Sequence, residues 1–165
     1  MSDPVRSDQL LTASVLDRLL DDEPDVASEP VQSQAQVLRT FRQSVRRDLE
    51  NLLNTRYRCV SWPPALDQLE DSLVNYGIPD FTAAGYDAGE DSTWLLSAIE
   101  FAIRTFEPRV TKVKVHPLES GARLSRTLSF RIDAVLNVDP FRESVRYESA
   151  LDASTGQFSV EGSST

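Results

Sequence analysis

RTLSFRIDAVLNV, residues 126–138, decides the fold, because apolar and polar side chains alternate along it with a single exception, Val135. The apolar set occupies the even positions from Leu128 to Val138, and the polar set occupies the odd positions from Thr127 to Asn137. Successive side chains of a strand point to opposite faces of its sheet. The period therefore predicts a strand with one face on the core and the other in water.

Shorter alternating runs flank this strand on both sides. VTKVKV (110–115) precedes it and SVRYESAL (144–151) follows it, with turn-rich segments between them. Short turn-rich connections favour antiparallel neighbours. The C-terminal TGQFSVEGSST (155–165) predicts one more short strand.

The chain before these strands has a helical period. The longest helix is predicted to start at Ser33, with Gln36 placed to complete a capping box, and its apolar face comprises Val37, Leu38, Phe41, Val45, Leu49, Leu52 and Leu53. A second helix, capped by Asp91 or Ser92, has the inward set Trp94, Leu95, Ala98, Ile99, Ala102, Ile103 and Phe106. A short helix between them is expected to start at Pro64, run through Leu66, Leu69 and Leu73, and end at Gly77.

These elements predict an α+β fold, with N-terminal helices packed on a small C-terminal, mainly antiparallel sheet. The predicted domain spans residues 34–160. Before it, residues 1–33 contain a brief amphipathic helix, SVLDRLLDD (14–22), and an acidic, proline-containing linker at 21–33. A tail at 161–165 completes the chain.

The amino-acid composition argues against several classes of function. A single cysteine, Cys59, and a single histidine, His116, argue against a disulfide framework and a transition-metal centre, so no metal and no cofactor are expected. The net charge of -9 argues against nucleic-acid binding. No apolar run is long enough for membrane insertion. Of the 17 basic residues, 15 are arginines, which suit fixed contacts with the carboxylates of protein partners.

Four of those arginines share the polar face of the long helix: Arg39, Arg42, Arg46 and Arg47. The face is either solvated and partly self-paired, through Asp48 and Glu50, or the contact surface for an acidic partner.

A second charged feature lies between the second helix and the first strand, in FEPRVTKVKV (106–115). Glu107 and Arg109 lie on the same side of an extended chain, and Pro108 between them stiffens the junction. If the strand runs unbroken from Pro108, that side continues through Val113 and Val115. Two functions remain open: an ion pair that closes the core, or a rigid pair of charges that enters a groove of a partner.

Four motifs, taken in order, resemble the TssE family, the baseplate wedge proteins of bacterial type VI secretion systems. The motifs are SVLDRLLDD (14–22), SVRRDLENLLNTR (44–56), SLVNYGIPDF (72–81) and FEPRV (106–110). The family is related to the lysozyme-like wedge proteins of contractile phage tails. The resemblance implies a structural, non-enzymatic protein, monomeric when free, in the cytoplasm at a baseplate near the inner membrane.

The resemblance also implies partners. Glu107, Pro108 and Arg109 match the family's Glu-Pro-Arg motif, which is associated with docking onto the wedge proteins TssF and TssG. TssK holds the baseplate, and the wedge protein helps to start the sheath of TssB and TssC. A contractile phage tail is the alternative assembly.

The sheath contact is expected at an open edge of the sheet, since an unpaired edge accepts a strand from another chain. The candidate strand is SVRYESALD (144–152), with Val145, Tyr147, Glu148 and Leu151 as its contact residues; VTKVKV is the other candidate edge.

The competing enzymatic hypothesis is a peptidoglycan glycosidase, which needs two carboxylates across a cleft, one of them protonated. Glu107 is the candidate acid, but Arg109 beside it favours the ionised carboxylate, which is the wrong direction for a general acid. Catalysis is therefore not expected.

Overall fold

The computed structural model describes residues 33–57, 61, 63, 65–81, 92–118, 127–138 and 141–163, and also residue 19. Most of the predicted N-terminal helix and its acidic linker lie outside the described residues. Leu19 is helical, and 75% of its surface is exposed.

Helix α1 spans Gln34–Leu53, as the sequence predicted. The capping box is confirmed: Ser33 Oγ accepts a hydrogen bond from the Gln36 backbone, and the Gln36 side chain accepts one from Ser33 N. Both pairings satisfy groups at a helix start that have no partner within the helix. The last turns are the most deeply packed, through Val45, Leu49, Leu52 and Leu53, which are all buried.

The second predicted helix is also confirmed. Helix α2 spans Ser92–Phe106 and ends just before Glu107 and Pro108. Its buried residues are Leu95, Leu96, Ile99, Ala102 and Ile103. Trp94 was wrongly assigned to this inward face: half of it is exposed, and Leu96 occupies the core instead.

The chain between these helices departs from the prediction. In place of one short helix there are two 3₁₀ turns, at Asp67–Leu69 and Leu73–Asn75. Leu73 is 84% exposed and Leu66 is half exposed, so neither belongs to an inward face. A single turn is too short to give an apolar stripe, and the helical spacing of these leucines was therefore misleading.

The four strands form one antiparallel sheet in the order β1-β2-β3-β4. Their bounds are Val110–Pro117, Thr127–Val138, Phe141–Asp152 and Gln157–Ser163. The α+β prediction, with two helices on a mainly antiparallel sheet, is confirmed. Strand β4 is the additional strand predicted in the tail, and it continues to Ser163.

One face of the sheet meets the helices, and the alternation in β2 decides which side chains enter the core. Phe130, Ile132 and Leu136 are fully buried, and Ala134 lies between them. Their neighbours in β3 are Tyr147, Val145, Ser149 and Leu151, also buried. The inward prediction for β2 is thus confirmed for Phe130, Ile132, Ala134 and Leu136, and Leu128 packs against them partly buried.

Strand β1 does not run unbroken from Pro108, so the condition for placing Arg109, Val113 and Val115 on one side is not met. A bulge lies between Thr111 and Lys114, where Lys112 has a φ of 52°. An extra residue on one strand changes the face toward which the following side chains point. Val110 and Val113 are both buried, whereas Thr111 is exposed, so the side that carries Arg109 does not continue through Val113.

Of the two candidate outer strands, SVRYESALD lies inside the sheet. Strand β3 pairs with β2 along its whole length and with β4 from Arg146 to Asp152. Strand alternation alone cannot place a strand within its sheet, because inner and outer strands can share the same period. The other candidate, β1, does lie at an edge.

Candidate functional site

The Glu-Pro-Arg segment forms a tight turn between α2 and β1. Glu107 N donates to Ile103 O at 3.0 Å, which closes the helix, and Val110 N donates to Glu107 O at 3.2 Å, which starts the strand. Glu107 is only 5% exposed, whereas Pro108 is exposed and 20% of the Arg109 side chain is exposed. The turn therefore buries the carboxylate and leaves the proline on the surface.

Both charges of the motif are bonded within the chain. Arg109 Nε donates to Glu107 Oε1 at 2.7 Å, and Arg109 Nη2 pairs with Glu107 Oε2. The guanidinium also reaches α1, where Nη2 donates to Asp48 Oδ2 at 2.6 Å and Nη1 donates to Ser44 Oγ at 3.2 Å. We call Ser44, Asp48, Glu107 and Arg109 the junction network. It ties the middle of α1 to the turn between α2 and β1.

The electrostatics of the junction network stabilise the charged guanidinium. The hydrogen bond to Glu107 raises the pKa of Arg109 more than burial lowers it, and the bond to Asp48 raises it further. Arg109 also lies 5.8 Å from the ring centre of Phe41, within the range of a cation–π contact. A buried carboxylate is tolerated only when it is paired, and Arg109 supplies that pairing.

Sequence reasoning paired Glu107 with Arg109 but missed Asp48 and Ser44. Asp48 lies 61 residues before Arg109, and no spacing rule connects two such positions. The sequence nevertheless contained a pattern that could have indicated them. Ser44 and Asp48 both belong to the SVRRDLENLLNTR motif, and residues four apart lie on the same side of a helix.

The four residues proposed for the sheath contact do not share a surface. Val145, Tyr147 and Leu151 point into the core, while Glu148 lies exposed on the opposite face of β3. Tyr147 donates a long hydrogen bond of 3.4 Å to Arg42 O and so contacts α1. The structure does not bring these four residues together with the Glu-Pro-Arg turn as one site.

The arginine face of α1 is largely bonded within the chain. Arg42 pairs with Glu143 of β3, and Arg46 pairs with Glu50 at 3.1 Å and donates to Val160 O of β4 at 2.8 Å. Arg47 pairs with Asp48 at 3.1 Å. These contacts favour the self-paired alternative for three of the four arginines. Arg39 is exposed and has no ion pair within the described part of the chain.

The edge strands are β1 and β4, and residues 141–145 of β3 extend beyond the part that β4 pairs with. Beside β1, Arg104 Nη2 donates to Val113 O at 3.1 Å, and Val115 N donates to Glu100 Oε2 at 3.3 Å. Side chains of α2 thus occupy backbone groups that an added strand would need. Beside β3, the partner strand β4 pairs only with residues 146–152. Residues 141–145 have no partner on that side among the residues that the structure describes.

Comparison with protein families identifies the family of this chain. The model of the family described as "Baseplate wedge protein gp25" matches residues 39–140, which is more than half of the chain and includes the whole junction network. The chain belongs to the gp25 family of baseplate wedge proteins. Members of this family are structural components of a baseplate, which agrees with the non-enzymatic prediction.

A solved structure titled "The baseplate complex from the type VI secretion system" contains a similar chain. The two are 18% identical, with a TM-score of 0.45, and the similarity covers 67% of this chain and 93% of that one. Comparison with curated proteins gave no match. Among the described helices of this gp25-family chain, none is long and apolar enough to cross a membrane.

Proposed function

We propose that this gp25-family chain is the TssE-type wedge protein of a type VI secretion system. It joins the wedge proteins TssF and TssG and the adaptor TssK at the cytoplasmic side of the inner membrane. There it helps to start assembly of the TssB–TssC sheath. The family match supports the wedge role, and the four sequence motifs, in their order along the chain, support the TssE type.

The observation that carries the proposal is the junction network, which fixes the Glu-Pro-Arg turn from both sides. Because Glu107 is buried, its role is to position Arg109 rather than to touch a partner. The surface offered to a partner consists of Pro108 and the exposed fifth of the Arg109 side chain. A rigid proline beside a pre-oriented guanidinium loses little conformational entropy on binding.

Co-purification tests this function. The full-length chain is co-expressed with TssF and TssG, and recovery of the ternary complex is measured for wild type, Arg109→Lys and Pro108→Ala. Arg109→Lys keeps the charge but removes the planar fork that reaches Glu107 and Asp48 together. Lys112→Ala, on the exposed part of the β1 bulge, is the control.

We expect a loss of complex with Arg109→Lys, a smaller loss with Pro108→Ala, and no loss with Lys112→Ala. Failure of the wild-type chain to bind TssF and TssG would contradict the TssE assignment. Binding to the wedge proteins of a contractile phage tail instead would favour the phage alternative.

The geometry also bears on the glycosidase hypothesis. Glu107 and Asp48 are both bonded to the same guanidinium, so they do not face each other across an open cleft. The purified chain should therefore release no sugar from peptidoglycan. Release that is abolished by Glu107→Gln would overturn the structural role.

A further inference from the structure

We propose that a pocket beside α2 binds an arginine side chain of a partner protein. The pocket has a volume of about 190 Å³. This is smaller than a typical small-molecule site and suits a single side chain. We call it the aromatic pocket; its aromatic and polar lining residues are Tyr57, Glu70, Asn75, Trp94, Phe101 and Phe106. None of them belongs to the Glu-Pro-Arg turn, so this site goes beyond the proposed function.

Helix α2 supplies two aromatic walls of the pocket. Trp94 and Phe101 are seven residues apart, so they lie on one side of the helix, about 10 Å apart along its axis. Ala98 lies between them and also lines the pocket. Its small side chain leaves space between the two rings. Because Trp94 and Phe101 are each 50% exposed, both rings are accessible to a ligand that enters this space.

The chemistry of the lining favours a cation. Aromatic rings attract cations to their faces. Among the described residues that line the pocket, none is basic. Glu70 is exposed and has no ion pair within the described part of the chain, and the same holds for Asp67 and Asp71, which lie close to it in sequence. A cation in the aromatic pocket would therefore meet ring faces and a free carboxylate, without competition from a cation of this chain.

Asn75 adds an acceptor that has no partner. It is only 5% exposed and is the most deeply buried polar residue of the lining. Asn75 Nδ2 donates to Leu69 O at 2.7 Å, which fixes the orientation of the amide. Asn75 Oδ1 is left without a hydrogen-bond partner among the described residues. Since a buried acceptor without a partner is costly, a donor that reaches the inner end of the pocket would stabilise the complex.

Arginine fits these features better than lysine does. Its planar guanidinium stacks on aromatic faces and is more weakly hydrated than an ammonium group. Its forked N–H donors can serve two acceptors at once, here Glu70 and Asn75. A long apolar stem places the charge deep in the pocket.

The surroundings of the pocket indicate that the arginine belongs to a protein. Leu73 is 84% exposed and Val74 is 57% exposed, and Val74 directly precedes Asn75. Exposed apolar residues beside a charged group are typical of a protein contact. A small free cation would leave Leu73 and Val74 in water, whereas a protein segment that carries the arginine can cover them. The net charge of -9 also attracts a basic segment.

Fluorescence anisotropy with the purified full-length chain tests the inference. The probe is a labelled acetyl-Leu-Ala-Arg-Ala-Leu peptide; the comparison peptides carry lysine, citrulline or norleucine in place of the arginine. Citrulline has nearly the shape of arginine but no charge. Glu70→Gln and Trp94→Leu are the pocket variants, and both positions are exposed. Glu161→Gln, at an exposed position of β4, removes the same charge as a control.

We expect the arginine peptide to bind saturably and the lysine peptide to bind more weakly. The citrulline and norleucine peptides should bind at least about tenfold more weakly. Affinity for the arginine peptide should fall about tenfold in Glu70→Gln and about fivefold in Trp94→Leu, which keeps an apolar side chain but removes the ring. It should be unchanged in Glu161→Gln. Equal binding of the arginine and citrulline peptides, or equal losses in Glu70→Gln and Glu161→Gln, would overturn the inference.

Two further measurements test other occupants of the aromatic pocket. Arg6 and Arg18 precede the described domain, and a double variant replaces both with glutamine. Peptide binding by this variant but not by wild type would show that the pocket serves the chain itself. Self-association of wild type that Glu70→Gln abolishes, measured by sedimentation velocity, would assign the pocket to a second copy of the chain. Either result would overturn the proposed partner, and so would the absence of saturable binding in every chain tested.

Discussion

Arg109 Nε donates a hydrogen bond of 2.7 Å to Glu107 Oε1, across the single residue Pro108. The same guanidinium reaches Asp48 of α1 at 2.6 Å, so the conspicuous charge pair at the helix–strand junction is a three-way contact. Of the two alternatives that the sequence left open, the structure shows the intramolecular pair. Contact between this turn and a partner stays a prediction, because the exposed part of Arg109 and Pro108 remain accessible in the free chain.

The junction network should stabilise the isolated chain. In Arg109→Ala, the Glu107 carboxylate stays buried without its cation, which is a costly state. We expect the free energy of unfolding to fall by about 2 to 4 kcal/mol, measured by chemical denaturation at neutral pH. Arg39→Ala, at an exposed position of α1, is the control and should change it by less than about 0.5 kcal/mol. An unchanged denaturation midpoint for Arg109→Ala would show that the network contributes no stability.

Gly77 should be irreplaceable by alanine. Its φ is 118°, and a Cβ placed there would lie 2.4 Å from Thr55 O, a backbone atom that cannot move aside easily. Thr55 O also accepts a hydrogen bond from Ile78 N at 2.9 Å, so a shift would disrupt a second contact. We expect Gly77→Ala to lower the free energy of unfolding by more than about 2 kcal/mol.

Gly162→Ala provides the matched control, because a Cβ at Gly162 meets no atom within 4 Å. The free energy of unfolding of Gly162→Ala should stay within about 0.5 kcal/mol of the wild-type value. Similar losses for the two alanine variants would contradict the steric explanation at Gly77.

The side chains of α2 should protect the β1 edge from self-association. The double variant Glu100→Ala, Arg104→Ala leaves Val115 N and Val113 O without their side-chain partners. An exposed edge with unpaired backbone groups favours pairing with another chain. Sedimentation velocity should therefore detect dimers or larger species at concentrations at which wild type does not form them. A monomeric double variant with a native circular dichroism spectrum would show that the bulge alone protects the edge.

Tyr147 should make stability sensitive to alkaline pH. Burial raises its pKa to about 12; Arg42 opposes this shift, and Glu107 adds to it. In the unfolded chain a tyrosine has a pKa of about 10. Because the folded-state pKa is higher, the contribution of Tyr147 is fully present below pH of about 10 and is lost as the pH rises toward about 12.

Chemical denaturation at a series of pH values checks this behaviour. Between pH of about 10 and 11.5, the stability of wild type should fall more steeply than that of Tyr147→Phe, which has no proton to lose at this position. Near neutral pH, the free energy of unfolding of the two chains should change with pH at the same rate. Parallel slopes throughout would mean that the Tyr147 hydroxyl titrates normally in the folded chain.

Local patterns determined the elements of this protein, because each pattern reflects a contact between near neighbours in the chain. The capping box at Ser33 and Gln36 joins residues three apart, and the alternation from Leu128 to Leu136 follows from the period of a strand. The end of α2 before Pro108 follows from the restricted geometry that proline imposes on the residue before it. The family resemblance of the motifs agreed with the gp25-family match.

Only the tertiary structure decided the rest, because those features depend on contacts between residues far apart in sequence. The link from Arg109 to Asp48 spans 61 residues, and the inner position of β3 depends on where β4 folds back. Trp94 has the helical spacing of a core residue, yet it is half exposed, since the packing of α2 admits Leu96 in its place. The bulge at Lys112 interrupts an alternation that looks regular in the sequence, and β1 makes its backbone contacts with Glu100 and Arg104 of α2 in this bulged form. Periodicity indicates which side chains share a face of a helix or strand. The neighbouring elements that pack on that face determine which of these side chains are buried.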